Sequence, residues 1–420
     1  MPAQTTSLPK SYKWSLLAIL TLVYAVHSMD RTVVAVVLEL VKKDFALTDA
    51  QAGALGGLTW GLAFCLFVIP IGWLADRTNR RNLLAGLVTL WSLFTLIMGC
   101  ASNFFQLLLA RVGVGAAEAG GAPISMSLVA DVFPAKQRST AVGFLYFGLA
   151  LGQGGIFLIG GYIAAQYGWR VALIFAGTPG LVLAVLILIF VRETKTCASD
   201  NVTSKEQTKL STVFLNLWHS PALLLILIGS TFCAIASAIT WMWLPSLLVR
   251  SHSLEISEVG IILSIATGIC SGVGSILSGP LSSWLVNNGK IERLGYVASM
   301  IALVATPLGM IAILTQNLIL AIVCIFGLGI MLGAWLPPAF GLALSITPAQ
   351  IRASTMSIIQ FSTNLFAGAI SPFAVGLLSD AIGGENSLMV SMSIIFPVML
   401  LAAFAFFAAA RNLNQANNLN

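Results

Sequence analysis

Twelve stretches of this chain are each long and apolar enough to cross a lipid bilayer, and that excludes nearly every other architecture. They lie at 14–40, 50–75, 83–102, 104–130, 139–166, 170–191, 213–249, 257–286, 293–314, 317–346, 353–381 and 387–410. About 20 apolar residues make one crossing helix. Inside hydrocarbon every backbone N–H and C=O must find its partner within the structure, so only helices and closed barrels span. Barrel strands alternate apolar and polar about every second residue, and runs such as Leu181 to Val191 do not alternate. The expectation is an all-α membrane protein with twelve transmembrane helices. A chain that is 58% hydrophobic and 9% charged is not a string of soluble domains.

The connections between spans set an orientation. With a cytoplasmic N-terminus, the inner side carries 15 of the 21 basic residues: Lys10, Lys13, Arg77, Arg80, Arg81, Lys136, Arg138, Arg192, Lys195, Lys205, Lys209, Lys290, Arg293, Arg352 and Arg411. The outer side carries Lys42, Lys43, Arg170 and Arg250, and the remaining two, Arg31 and Arg111, lie within spans. The positive-inside bias therefore places both termini in the cytoplasm, of a bacterial inner membrane. The net charge of +6 follows from that bias and implies no nucleic-acid partner. The first apolar run is too long for a signal-peptide core. The six cysteines are scattered without a C-x-x-C and read as packing residues. No cofactor or metal is expected, and a monomer is.

One long polar stretch, Arg192 to Ser211, reads as a solvated linker. It divides the chain into an N-terminal bundle (1–191), a linker (192–212) and a C-terminal bundle (213–420). The two halves repeat each other. Gly53 and Gly72 are 19 positions apart, as are Gly260 and Gly279. At an offset of 214, Gly113-x-Gly115 pairs with Gly327-x-Gly329, Pro123 with Pro337, Pro134-Ala135 with Pro348-Ala349, and Arg138 with Arg352. Parallel six-helix repeats with a substrate site between them are the plan of one large transporter class. At the same offset Arg111 corresponds to Ile325 and Glu118 to Leu332, so the charge is concentrated in the first half.

Between the second and third spans stands Gly72-Trp-Leu-Ala-Asp76-Arg77-Thr-Asn79-Arg80-Arg81. Glycine allows close helix approach, Asp76 suits a neighbouring helix N-terminus or a basic group, and the arginines hold the loop at the inner face. This stretch resembles the gate motif of the major facilitator superfamily at every position but one, where Asn79 replaces glycine. Asn tolerates a left-handed backbone, so the turn is expected to survive. The resemblance covers the whole chain and implies that superfamily's fold. Ile156-Phe157 stands where drug–proton antiporters of the superfamily carry Gly-Pro. Within it, Met29-Asp30-Arg31 together with Arg111-Val-Gly-Val-Gly115-Ala-Ala-Glu118-Ala119 is most similar to the Spinster-like group, with the anion–cation symporters as near competitor.

Four charges sit inside spans: Asp30 and Arg31 in the first, Arg111 and Glu118 in the fourth. Such residues are expensive in a bilayer and mark function or pairing. Arg111 and Glu118 are seven residues apart, on nearly one face and about 10 Å apart along the axis. Helix arithmetic puts Asp30 about 15 Å deep, between Arg111 at about 10 Å and Glu118 at about 21 Å. With the first and fourth helices adjacent, as the resemblance implies, all four line one cavity. Desolvation favours a neutral carboxyl and a nearby arginine favours the charged one, so Asp30 and Glu118 are the proton-coupling candidates. Arginine stays charged and suits a fixed anion, so Arg31 and Arg111 are the substrate-anion candidates. The competing expectation is a structural salt bridge, Asp30 to Arg111 or Arg31 to Glu118. His27, one turn earlier, is a cavity candidate, and Trp241, Trp243, Gln360 and Asn364 are candidates for the opposing wall.

These readings point to a secondary transporter using alternating access, proton-coupled, moving an anionic or amphiphilic solute such as a lysolipid or organic acid. Its partners are that small-molecule or lipid-like substrate, protons and membrane lipids. An importer of sugar acids or siderophores, and a receptor that keeps the fold without moving solute, are the alternatives. An enzyme is not expected, since G-x-S-x-G, H-E-x-x-H and G-x-x-x-x-G-K-[ST] are all missing and the three histidines are dispersed.

Overall fold

The computed structural model of the chain describes residues 10–75, 77–192, 220–347 and 352–419. Asp76, most of the predicted linker, and Pro348-Ala349 of the repeat lie outside the described residues. The described residues form twelve helices that meet the length and apolarity of a membrane crossing. They are α1 (Tyr12–Asp44), α2 (Asp49–Ala75), α3 (Arg80–Gly99), α4 (Phe104–Val132), α5 (Ala141–Tyr167), α6 (Trp169–Phe190), α7 (Pro221–His252), α8 (Ile256–Asn287), α9 (Glu292–Leu314), α10 (Leu318–Ile346), α11 (Thr355–Ile382) and α12 (Ser387–Gln415).

Side chains just outside the apolar runs set where several helices begin. Thr48 and Gln51 form a reciprocal capping box at the start of α2. Asn103, Ser220 and Asn317 each accept the N–H three residues ahead, starting α4, α7 and α10. Each such cap satisfies a backbone donor that a helix start leaves orphaned. Gly168 turns the chain between α5 and α6 at φ 84°, a left-handed conformation that glycine takes without strain.

Six helices form each of two bundles. In the first, α1 packs on α5 and α6, α2 on α4, and α3 on α4 and α6. In the second, the repeat-related pairs recur: α7 on α12, α8 on α10, and α9 on α10 and α12. The glycines that defined the repeat meet equivalent partners. A Cβ on Gly113 would strike the Phe94 ring, and one on Gly327 would press on Leu308, again an offset of 214. A Cβ on Gly115 would lie 2.4 Å from the Trp60 carbonyl, and one on Gly329 2.6 Å from the Ala266 carbonyl.

The bundles touch through α2 against α11, α5 against α8, and α1 against α7. Small residues carry these contacts. Gly53 and Gly57 lie against Pro372, Gly61 against Ala369, Gly154 against Gly268, and Gly161 against Gly260. They run from the end of the molecule where α1 finishes, at Gly53 and Gly161, to mid-span at Gly61 and Gly154. The end where α1 finishes is also tied by charge. Arg250 of α7 reaches Asp49 of α2 at 2.8 and 2.9 Å and Glu39 of α1 at 3.0 Å. Asp380 of α11 accepts the backbone N–H groups of Asp49 and Ala50, both at 2.8 Å, at the start of α2. Asp49 further pairs with Lys42 and Ser379. We call this the sealed face. At the opposite end Gly72, Gly143 and Gly279 have no neighbour within 4 Å of where a Cβ would be, and we call it the open face.

Two features were not expected from composition. The helical bonding of α4 is interrupted at Ala119-Gly120, directly after Glu118, and that of α10 at Trp335. Four helices carry a stretch of i→i+5 hydrogen bonding, at Ala54–Leu58, Ile156–Gly160, Ile265–Cys270 and Asn364–Ile370. They are α2, α5, α8 and α11, four of the six helices that meet across the bundles. Such bulges concentrate at functional sites.

Candidate functional site

The four intramembrane charges converge, but not as two salt bridges. Arg111 is 1% exposed and directs its guanidinium at the backbone of α1, with Nη1 donating to the Asp30 carbonyl and Nη2 to the Arg31 carbonyl, both at 3.1 Å. Its two terminal nitrogens thereby donate to carbonyls, and burial closes the guanidinium to a ligand in this conformation. The expectation of Arg111 as an anion ligand does not match this geometry. Arg111 is a clamp that holds the middle of α1 to α4.

Asp30 is fully buried with the Thr95 hydroxyl and the Trp91 indole of α3 beside its carboxyl, and it forms no ion pair with any described residue. Glu118 is also fully buried. Its Oε2 accepts the indole N–H of Trp60 at 2.6 Å and lies 3.8 Å from Nδ1 of His27, while Oε1 has no partner. Neither carboxyl forms an ion pair with Arg31 or Arg111, so the salt-bridge alternative fails for all four residues. Two buried carboxyls without an arginine or lysine partner are exceptional, because a buried charge is ordinarily paired.

Arg31 behaves oppositely. It is exposed at mid-span, makes no hydrogen bond or ion pair with any described residue, and lies with its guanidinium 4.3 Å from the centre of the Trp60 ring. Its Nη2 is also close to Gly368 of α11. It therefore stands at the junction of the bundles as an uncommitted cation stacked on an aromatic face. His27 is 17% exposed at its side chain and packs edge-on to Trp91 at 6.1 Å.

The second bundle contributes shape rather than charge. Trp243 is not a wall residue: it is fully buried, and its indole N–H donates to the Pro372 carbonyl at 3.0 Å, fixing α7 to α11. Trp241 is half-buried and Gln360 exposed. Asn364 is buried at the start of the i→i+5 stretch of α11. The residue missed by sequence reasoning is Trp60, which touches both Glu118 and Arg31. A search for buried charge passes over an indole, and only its neighbours Gly57 and Gly61 mark the position as one of close approach.

The loop motif sits at the open face. Arg80 pairs with Asp131 of α4 at 2.8 Å, Arg77 lies over the Trp73 ring at 4.0 Å, and Arg81 reaches Asn82. Asn79 is not left-handed: its φ is −68°, and its side chain caps α3 by accepting the Asn82 N–H at 2.8 Å. The change from glycine thus trades a turn residue for an N-cap.

Comparison with known proteins bears on the family and the fold. The model of the Major Facilitator Superfamily matches residues 20–372. Protein spinster homolog 1 of Xenopus laevis is 30% identical over 420 residues, spanning 94% of this chain and 79% of that protein. The sphingosine-1-phosphate transporter SPNS2 of Danio rerio is 27% identical over 378 residues, spanning 84% and 73%. A crystal structure of a bacterial homolog of the human lysosomal transporter Spinster, inward-facing and unoccupied, superposes with a TM-score of 0.84 at 25% identity, over 97% of this chain and 99% of that one.

Proposed function

This chain belongs to the Major Facilitator Superfamily and its Spinster-like group, and from that premise we propose that it is a proton-coupled secondary transporter of an anionic amphiphile. The family makes it a multi-pass membrane transporter rather than an enzyme. The observation that carries the finer reading is Arg31, an exposed and uncommitted arginine at mid-membrane between the bundles. Guanidinium binds phosphate and carboxylate bidentately. Gly368 of α11 meets Arg31, and Met242 of α7 and Ala369 of α11 meet α2 nearby, uncharged neighbours that suit a hydrocarbon tail. A lysophospholipid or sphingoid phosphate combines both features, in keeping with the relative named as a sphingosine-1-phosphate transporter.

Glu118 and Asp30 are the proton carriers in this reading, each buried and in no ion pair with arginine or lysine, and Glu118 with His27 beside it. Arg111 holds α1 in register so that Arg31 faces the substrate. The open face carries Arg77, Arg80, Arg81, Arg138, Lys290, Arg293 and Arg411, against Lys42, Lys43, Arg170 and Arg250 at the sealed one. By the positive-inside rule the open face is cytoplasmic, in a bacterial inner membrane. The conformation is then inward-facing. The test is uptake of lysophospholipids and sphingoid phosphates into proteoliposomes under an imposed pH gradient. Gradient-driven transport that survives both Arg31→Ala and Glu118→Gln would overturn these roles.

A further inference from the structure

Trp60 occupies a position that neither the charge pattern nor the fold requires. It is 1% exposed, in α2, immediately after the i→i+5 stretch Ala54–Leu58. One edge of the indole, Nε1–H, is on Glu118 at 2.6 Å. Its face carries the Arg31 guanidinium at 4.3 Å. Its far edge faces α11, where a Cβ on Gly368 would lie 3.3 Å from Cζ3. On its own side it is held by α4, since the Trp60 carbonyl fits against Gly115 with no room for a methyl group. One rigid ring thus touches the proton site, the anion site and the seam between the bundles.

We propose that Trp60 is a positioning residue that transmits the charge state of Glu118 to the α2–α11 seam. The idea rests on the proton role given to Glu118 above. A hydrogen bond to a carboxylate is about twice as strong as one to a neutral acceptor. While the sealed face is closed, α11 backs the indole and the bond to Glu118 is made. When α11 moves off α2 the ring loses that support, and the bond weakens. Carboxylate therefore favours the closed seam and carboxylic acid releases it. Other charged groups bear on Glu118: His27, Asp30 and Arg31 from α1, and Arg111 from α4 itself. α2 brings Trp60 and no ionisable side chain to it, so the indole is the link between Glu118 and the helix that moves.

The experiment needs no substrate. Spin labels at Thr78→Cys and Asn288→Cys, both exposed at the open ends of α2 and α8, report the opening between bundles in nanodiscs by electron–electron resonance. The background replaces the six native cysteines. In otherwise wild-type protein the ratio of the two distance populations is expected to move about tenfold or more across the pH titration, the size of a hydrogen bond to a charged group. Glu118→Gln is expected to flatten the response. Trp60→Phe keeps a ring under Arg31 but has no N–H, and is expected to cut the response to about threefold or less.

A Trp60→Phe response equal to wild type, with Glu118→Gln flat, overturns this proposal and leaves the Glu118 assignment standing. A Glu118→Gln response equal to wild type overturns both. Should Trp60→Phe not be recovered folded, Gly368→Ala tests the same contact from α11, where its methyl group displaces the indole by a few tenths of an ångström. An altered pH response supports the link, and an unaltered one overturns it.

Discussion

At the residue scale, the two intramembrane arginines separate into a clamp and a ligand, and the separation is measurable. Arg111→Ala removes two hydrogen bonds from a charged donor to the α1 backbone. Each such bond contributes about 1.5–3 kcal/mol, so a loss of about 3 kcal/mol and a Tm lower by several degrees is expected in thermal unfolding of detergent-solubilised protein. Arg31→Ala breaks no side-chain hydrogen bond or ion pair among the described residues. Its Tm is expected to stay near wild type while affinity for an anionic lysolipid falls about tenfold or more, the scale of one lost bidentate contact. Equal Tm losses in the two variants would show that Arg31 is structural as well. Sequence located all four charges because a bilayer makes any charge conspicuous. It did not tell the roles of the arginines apart, because spacing fixes depth and face but not whether a guanidinium meets a carbonyl or open space. Trp60 and Trp243 went astray for a related reason: an indole is apolar by composition, and its one N–H acquires meaning only from the acceptor that the fold places beside it.

At the scale of helices, the repeat was legible to the residue because glycine spacing records where two backbones approach. Gly113 and Gly327, or Gly115 and Gly329, meet matching neighbours in the two bundles. The breaks have a local cause that the prolines signalled: Pro123 lacks the N–H that would bond the Ala119 carbonyl, and Pro338 stands likewise four residues after Ala334. The i→i+5 stretches were not legible, since Ala54–Leu58 and Ile156–Gly160 contain no proline. Gly115 gives a prediction at this scale. Any Cβ there meets the Trp60 carbonyl at 2.4 Å, a backbone atom that no rotamer change can move. Gly115→Ala is therefore expected to push α2 from α4 and to cost about 1–3 kcal/mol, as overpacking does. Gly72→Ala, whose Cβ meets nothing, is expected to leave Tm unchanged. Thermal unfolding of the pair checks the contrast, and a stable Gly115→Ala would mean that α2 and α4 are not in register as described.

For the whole molecule, alternating access requires that the sealed face open, and two kinds of contact must then break. One is ionic: Arg250 holds Asp49 and Glu39 across the bundles. Arg250→Ala leaves both carboxylates without that cation, and is expected to shift the population toward the state open at that face by about tenfold, as removing one partner of a partly buried pair does. Cysteine accessibility near Asp49 reports it. The other contact is the small-residue seam. An ideal Cβ on Gly154 lies 3.2 Å from the Gly268 Cα, and one on Gly268 lies 3.6 Å from the Gly154 Cα. These are Cβ-to-Cα approaches, tighter than a disulfide needs, so a small parting of the two helices brings paired cysteines into bonding reach, the Cα atoms of a disulfide standing about 4.4–6.8 Å apart. In a background free of the native cysteines, Gly154→Cys with Gly268→Cys is expected to crosslink α5 to α8 on oxidation, to arrest transport in proteoliposomes, and to recover on reduction. Transport that persists through complete crosslinking would mean that the α5–α8 seam stays closed throughout the cycle, and that the bundles part only at the open face.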